Sequence, residues 1–243
     1  MGERLKKEII FLVLLFQRIN NQLPLSSEKS KFRFLTLALF SYFFICFPLA
    51  QIYLNDSFFL QNNWPLIFFI STLTCLFFSG RLKFLQLGLS KLNSWNFRLG
   101  LLVGTIPIVA VVSLDLLLLK TGFAENDLFS GAELRESPNF SIINLLLNVI
   151  ITPAVKQIFI TGYMLNILTK RNDLAISANG IIYATMSFNL GIGCLGLGII
   201  SAALLRFSGS LIPSIFFAIG CSTTKFLILT SYPRMTTLLV FLV

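Results

Sequence analysis

Residues 142–168 read IINLLLNVIITPAVKQIFITGYMLNIL. The stretch is apolar for long enough to cross a bilayer as a helix, which takes about 20 residues. Yet Lys156 and Gln157 stand side by side in its second half. In a helix that starts at Ile142, Lys156 lies about 21 Å along the axis at ~1.5 Å per residue, far from either end. An ionisable side chain at that depth is costly and marks a site by default. The residues leave two readings open. Thr152 and Pro153 kink the helix and free a backbone carbonyl. Lys156 bonds that carbonyl, or Asn148 two turns upstream, and is structural; otherwise it is functional.

The rest of the chain has the same character. Of its 243 residues 56% are hydrophobic and 12% charged, about half the charged fraction of soluble domains. A soluble chain this apolar has too little polar surface to cover its core. The apolar residues come in continuous blocks, not in the roughly ten-residue alternating segments of a β-barrel. The expected fold is all-α, a polytopic helical bundle of about seven spans. The spans run 34–54, 64–79, 99–119, 142–168, 174–188, 192–205 and 211–231, with the fifth and sixth short for a bilayer. Residues 1–33 form a cytoplasmic or interfacial segment, in which Ile9–Phe16 lies as a short helix on the membrane surface with Lys6, Lys7 and Arg18 toward headgroups. Residues 34–231 form the bundle, with a motif core at 140–222, and residues 232–243 a tail.

Loop charge supports the span count. Seven basic residues precede the first span, the next loop has none, and Arg81, Lys83, Lys91 and Arg98 follow the second span. Lys170 and Arg171 follow the fourth and Arg206 the sixth. This alternation places the N-terminus in the cytoplasm. The net charge of +9 is thus a topology signal, and no nucleic acid is expected as a partner. Asp115 and Lys225, the other ionisable residues within spans, stand near span ends, where they reach the interface or snorkel to it. The four cysteines, Cys46, Cys75, Cys194 and Cys221, all fall in apolar segments and read as small buried side chains. Gly198 and Ala202 have small-xxx-small spacing for close helix packing.

At Lys156 the sequence resembles a family. The stretch LNVIITPAVKQIFITGYMLNILTKR is similar to the first motif region of the CPBP intramembrane proteases, the CAAX-protease and bacteriocin-processing (Abi) family. That region has an apolar helix with proline, then Glu-Glu-x-x-x-Arg-Gly. Here Lys156 and Gln157 replace the two glutamates, Thr161 the arginine, and Gly162 is kept. The second motif, Phe-x-x-x-His, falls on YATMS, with Tyr183 for Phe and Ser187 for His. The third, His-x-x-x-Asn or Asp, falls on AIGCS, with Ala218 for His and Ser222 for Asn. The frame between them, GIISAALLRFSGSLIPSIFFA, keeps the family's pattern, and the resemblance extends from Leu85 to Ser222.

The resemblance implies a metalloendopeptidase whose glutamate and histidines organise water on a divalent metal such as zinc. Such a metal needs carboxylate or neutral imidazole ligands in a close cluster. The chain has no histidine anywhere, and Lys156 would repel a cation. No metal, no cofactor and no family-type catalytic residue are expected. The expectation is a non-catalytic family member, a pseudoprotease, embedded in a lipid bilayer and binding another membrane protein or a hydrophobic or lipidated peptide. Lys156, Gln157, Tyr183 and Ser187 are its cavity and partner-binding candidates. Two alternatives stand beside it. One is an active CAAX-type endopeptidase with Lys156 as base and Ser187 as nucleophile. The other is an unrelated transport or binding protein with Lys156 as counter-ion to an anionic substrate.

Overall fold

Hydrocarbon leaves a backbone no partner but itself, so an apolar chain of this length resolves into helices. In the computed structural model, residues 28–53, 58–79, 87, 89, 93–121, 145–168, 174–188 and 191–231 are described. Among them are seven helices and no strand. Helix α1 comprises Glu28–Ser41, a π-helical turn Tyr42–Cys46 and Phe47–Tyr53; α2 is Phe58–Phe78; α3 is Ser94–Lys120. Helix α4 runs through Leu147–Ile151, Thr152–Gln157, Ile158–Met164 and Leu165–Leu168; α5 is Leu174–Met186, α6 Ile192–Ser208 and α7 Ile212–Ser231. The seven helices correspond to the seven expected spans. Three are long and apolar enough to cross a membrane by length and composition, over Ser30–Tyr53, Ser94–Lys120 and Ile212–Ser231. As expected, α5 and α6 are shorter. The expected interfacial helix at residues 9–16 and the tail 232–243 lie outside the described residues. Residues 28–33, assigned from the sequence to the N-terminal segment, form the opening turns of α1.

The chain divides into two compact units, Met1–Ser90 and Lys91–Val243. In the first, buried Tyr42 of α1 packs against Trp64, Phe68 and Phe69 of α2, with ring centroids 4.8–5.6 Å apart. The π turn that carries Tyr42 widens the helix where these rings meet.

In the second unit two glycine contacts set the packing. Gly104 of α3 and Gly220 of α7 bring their backbones together, and a Cβ on Gly104 would come within 2.7 Å of the Phe216 carbonyl oxygen. Gly198 of α6 does the same against α5, where a Cβ would meet the Asn179 carbonyl oxygen at 2.7 Å. Small residues allow such approach where no hydrophobic force drives helices together. Ala202, one turn beyond Gly198, is also buried, as the small-xxx-small reading expects. The outward faces stay apolar, with Leu102, Ile106 and Val109 of α3 exposed. Asp115, five residues before the end of α3, is buried on the face of that helix that carries Gly100, Gly104 and Val111.

Candidate functional site

Helix α4 holds the polar pair between two wide turns. The π-helical turn Leu147–Ile151 ends just before Pro153, and a second, Ile158–Met164, begins just after Gln157. Proline lacks an N–H and clashes with the carbonyl of the preceding turn. An extra residue in that turn removes the conflict, and such π insertions occur often at functional sites. The expected kink is thus a widening of the helix.

Lys156 does not bond the freed carbonyl or Asn148. Its Nζ donates to Ser187 Oγ at 2.5 Å and lies 4.7 Å from the centre of the Tyr183 ring, a cation–π distance. The four-carbon stem carries the ammonium across to the end of α5, while Asn148 is exposed on α4. Ser187 Oγ in turn donates to the Tyr183 carbonyl at 2.6 Å. Phe188, the next residue, has φ 51°, a left-handed conformation that a bulky side chain adopts only under strain. That residue turns the chain away immediately after Ser187, just past the end of α5. Lys156 is half-buried, so part of its side chain is left uncovered by protein.

Two more helices reach this point. The side chains of Cys194 on α6 and Lys225 on α7 are within electrostatic range of Lys156, and those of Cys194 and Cys221 within range of Tyr183. On α7 the residues Ala218, Cys221, Ser222 and Lys225 follow helical i, i+3, i+4, i+7 spacing and share one stripe. Ala218 is fully buried there and Ser222 half-buried. The structure therefore joins Lys156 directly to Ser187 and Tyr183, and sets Ala218 and Ser222 on the stripe of α7 that approaches them. Cys194 and Cys221, read from sequence only as buried packing residues, are half-buried at this point. For Cys221 the signal is its place three residues after Ala218 on one helix; Cys194 shares its helix with no motif residue, and nothing in the sequence pattern places it there.

Gln157 and Thr161 are separate from that polar group and form their own. Gln157 is fully buried. Its Nε2 donates to Ser201 Oγ of α6 at 3.0 Å, and its Oε1 accepts from Thr161 Oγ1 at 2.6 Å. Asn179 of α5 donates to Thr161 Oγ1 at 3.1 Å and to the Gly198 carbonyl at 2.7 Å. Ser201 and Asn179 were missed by the motif alignment, which points only at positions that carry the family's ligands. This neutral network ties α4, α5 and α6 together, and the buried Asn179 Oδ1 is the one atom in it without a partner.

These groups do not fit a divalent metal. One motif position is a cation, and the amide beside it has both of its polar atoms engaged in the network. Among the described residues no three His, Cys, Asp or Glu side chains stand together. No step through a metal follows from them.

Comparison with known proteins places the same stretch. Residues 138–224 match the family model described as type II CAAX prenyl endopeptidase Rce1-like, just over a third of the chain. The match includes all three motif positions. No curated protein and no solved structure matches the chain.

Proposed function

We propose that this chain, a membrane protein of the CAAX-protease family by its Rce1-like residues 138–224, is a non-catalytic member that binds a ligand in the space beside Lys156. A hydrophobic or lipidated peptide or a membrane protein segment is the ligand class that the family ancestry supports. The observation that carries this reading is the Gln157–Thr161–Ser201–Asn179 network. Where a metal site would present free lone pairs, the polar atoms of Gln157 and the Thr161 hydroxyl are bonded within the network, which ties the helices together and does not hold a metal-bound water. The test is metal content and cleavage together. Purified protein should hold no stoichiometric zinc and should leave a prenylated peptide intact, with or without chelator. Chelator-sensitive cleavage would end the proposal.

A second reading has a specific observation behind it, the 2.5 Å contact of Lys156 with Ser187. A neutral lysine there takes the serine proton, and Oγ attacks a carbonyl. Two features rank it below the first. Ser187 gives its proton to the Tyr183 carbonyl, and the backbone N–H groups of Ser187 and Phe188 are spent on helix carbonyls and so do not serve as oxyanion donors. A fluorophosphonate that labels the protein, and loses that label in both Ser187→Ala and Lys156→Ala, would favour it.

A further inference from the structure

Among the described residues, the Lys156 site has donors and positive charge and no anion to balance them. An ammonium carries three N–H donors. One goes to Ser187, and a ring face takes part of the charge. Neither partner is anionic. The electrostatic neighbours of Lys156 are Cys194 and a second cation, Lys225, and that of Lys225 is Cys194. The acids among the described residues are Glu28 and Asp115. Glu28 is at the start of α1, and Asp115 is not among the neighbours that affect either lysine. Lys156 is thus a half-buried ammonium within a membrane helix, with Lys225, exposed on α7, adding positive charge to its surroundings and no carboxylate set against it among the described residues, where a charge is ordinarily paired or lines a path for a ligand.

We infer that the Lys156 site binds a single-chain amphiphile through its anionic head, a carboxylate or a phosphate monoester. This rests on the binding reading above and narrows its ligand. The head accepts the two N–H groups of Lys156 that Ser187 leaves, with Lys225 adding its charge from α7. The tail is apolar because the ligand must reach Lys156 near the middle of α4 from the lipid. An extended peptide suits the site less well. Each of its residues brings an N–H and a C=O that need partners. Apart from the turn at Ser187 and Phe188, the described elements around Lys156 are helices whose backbone groups are largely bonded within the helix, and no sheet edge is present among the described residues. An acyl chain makes no such demand.

The experiment uses the full-length protein in nanodiscs of zwitterionic lipid. Four probes are compared by fluorescence titration and displacement: a tail-labelled fatty acid, its methyl ester, the matching alkyl phosphate, and a short apolar peptide with a free C-terminus. The acid or the phosphate should bind at least tenfold more tightly than the ester. Which of the two binds better identifies the head. Lys156→Met should remove that advantage while leaving ester binding unchanged, and Lys156→Arg should keep most of it. Lys225→Met reads the same charge from α7, with a smaller loss, and keeps the test open should Lys156→Met not fold. Equal binding of acid, phosphate and ester by the wild-type protein overturns the inference without any variant. Binding by the peptide but by no acyl probe also overturns it, and leaves the binding reading standing. Ser187→Trp fills the space beside Lys156. If it changes the binding of no probe, the binding reading itself fails.

Discussion

Replacing Gln157 by leucine isolates the neutral network, because the two side chains have nearly the same volume and no cavity follows. The change removes the Nε2 bond to Ser201, between α4 and α6, and the Oε1 acceptor of Thr161, within α4. Interhelical hydrogen bonds in membrane proteins average about 0.6 kcal/mol and reach ~1.7 kcal/mol. To that is added the cost of stranding Thr161 and Ser201, both fully buried, which is about 1–3 kcal/mol for a group left with no partner. The cost falls toward its lower end here. Each hydroxyl sits on a helix and can turn to the carbonyl four residues before it, and Asn179 keeps its bond to Gly198. A loss of about 2 kcal/mol is expected, from these interhelical and stranding terms together. For a chain of this size that lowers the melting temperature by roughly 4–8 °C. Intrinsic-fluorescence melts in one detergent would measure it. Gln157→Leu combined with Ser201→Ala should cost less than the two single changes added, since each breaks the same bond. A melting temperature within about 1 °C of wild type would refute the claim that the network holds the three helices together, as would strictly additive losses.

The glycines give a sharper contrast. Gly104→Val should prevent stable accumulation of folded protein or cost more than about 3 kcal/mol, at the upper end of single-site effects, because its Cβ meets backbone of α7 that cannot yield. Gly196→Ala, with nothing within 4 Å of its Cβ, should be neutral or slightly stabilising, and expression with size-exclusion profiles separates the two. Lys156→Met should leave stability unchanged or raise it by up to about 2 kcal/mol, read as a held or higher melting temperature, since a cation with no counter-ion among the described residues is replaced by an apolar side chain of similar length; a clear drop would show that the bond to Ser187 outweighs the cost of the charge. A cysteine introduced at Lys91 should be shielded from impermeant maleimide in intact cells and one at Asp56 labelled, the native cysteines being replaced by alanine; the reverse pattern would refute a cytoplasmic N-terminus.

What could be read from the chain alone was whatever depends on neighbours in sequence. Each span is a local property, because in hydrocarbon a helix satisfies its own backbone and needs only enough apolar residues to cross. All seven helices therefore appear where hydropathy and loop charge set them. The motif frame was equally legible, since Lys156, Ser187 and Ala218 keep a spacing along the chain whatever they touch. The partners were not. Lys156 and Ser187 are 31 residues apart, and the local alternatives, a carbonyl freed by Pro153 or the amide of Asn148, were as good on sequence grounds. Only the packing of α4 against α5 chose between them, aided by a left-handed Phe188 that no pattern announces. The same holds for Gln157, whose partner Ser201 is on another helix and at no motif position, and for Gly104 and Gly220, more than a hundred residues apart in sequence and in backbone contact. Asp115 makes the point in reverse. Its place near a span end is a matter of sequence, but that it is buried, on the face of α3 whose Gly100 and Gly104 meet α7, is decided by packing between helices far apart in the chain.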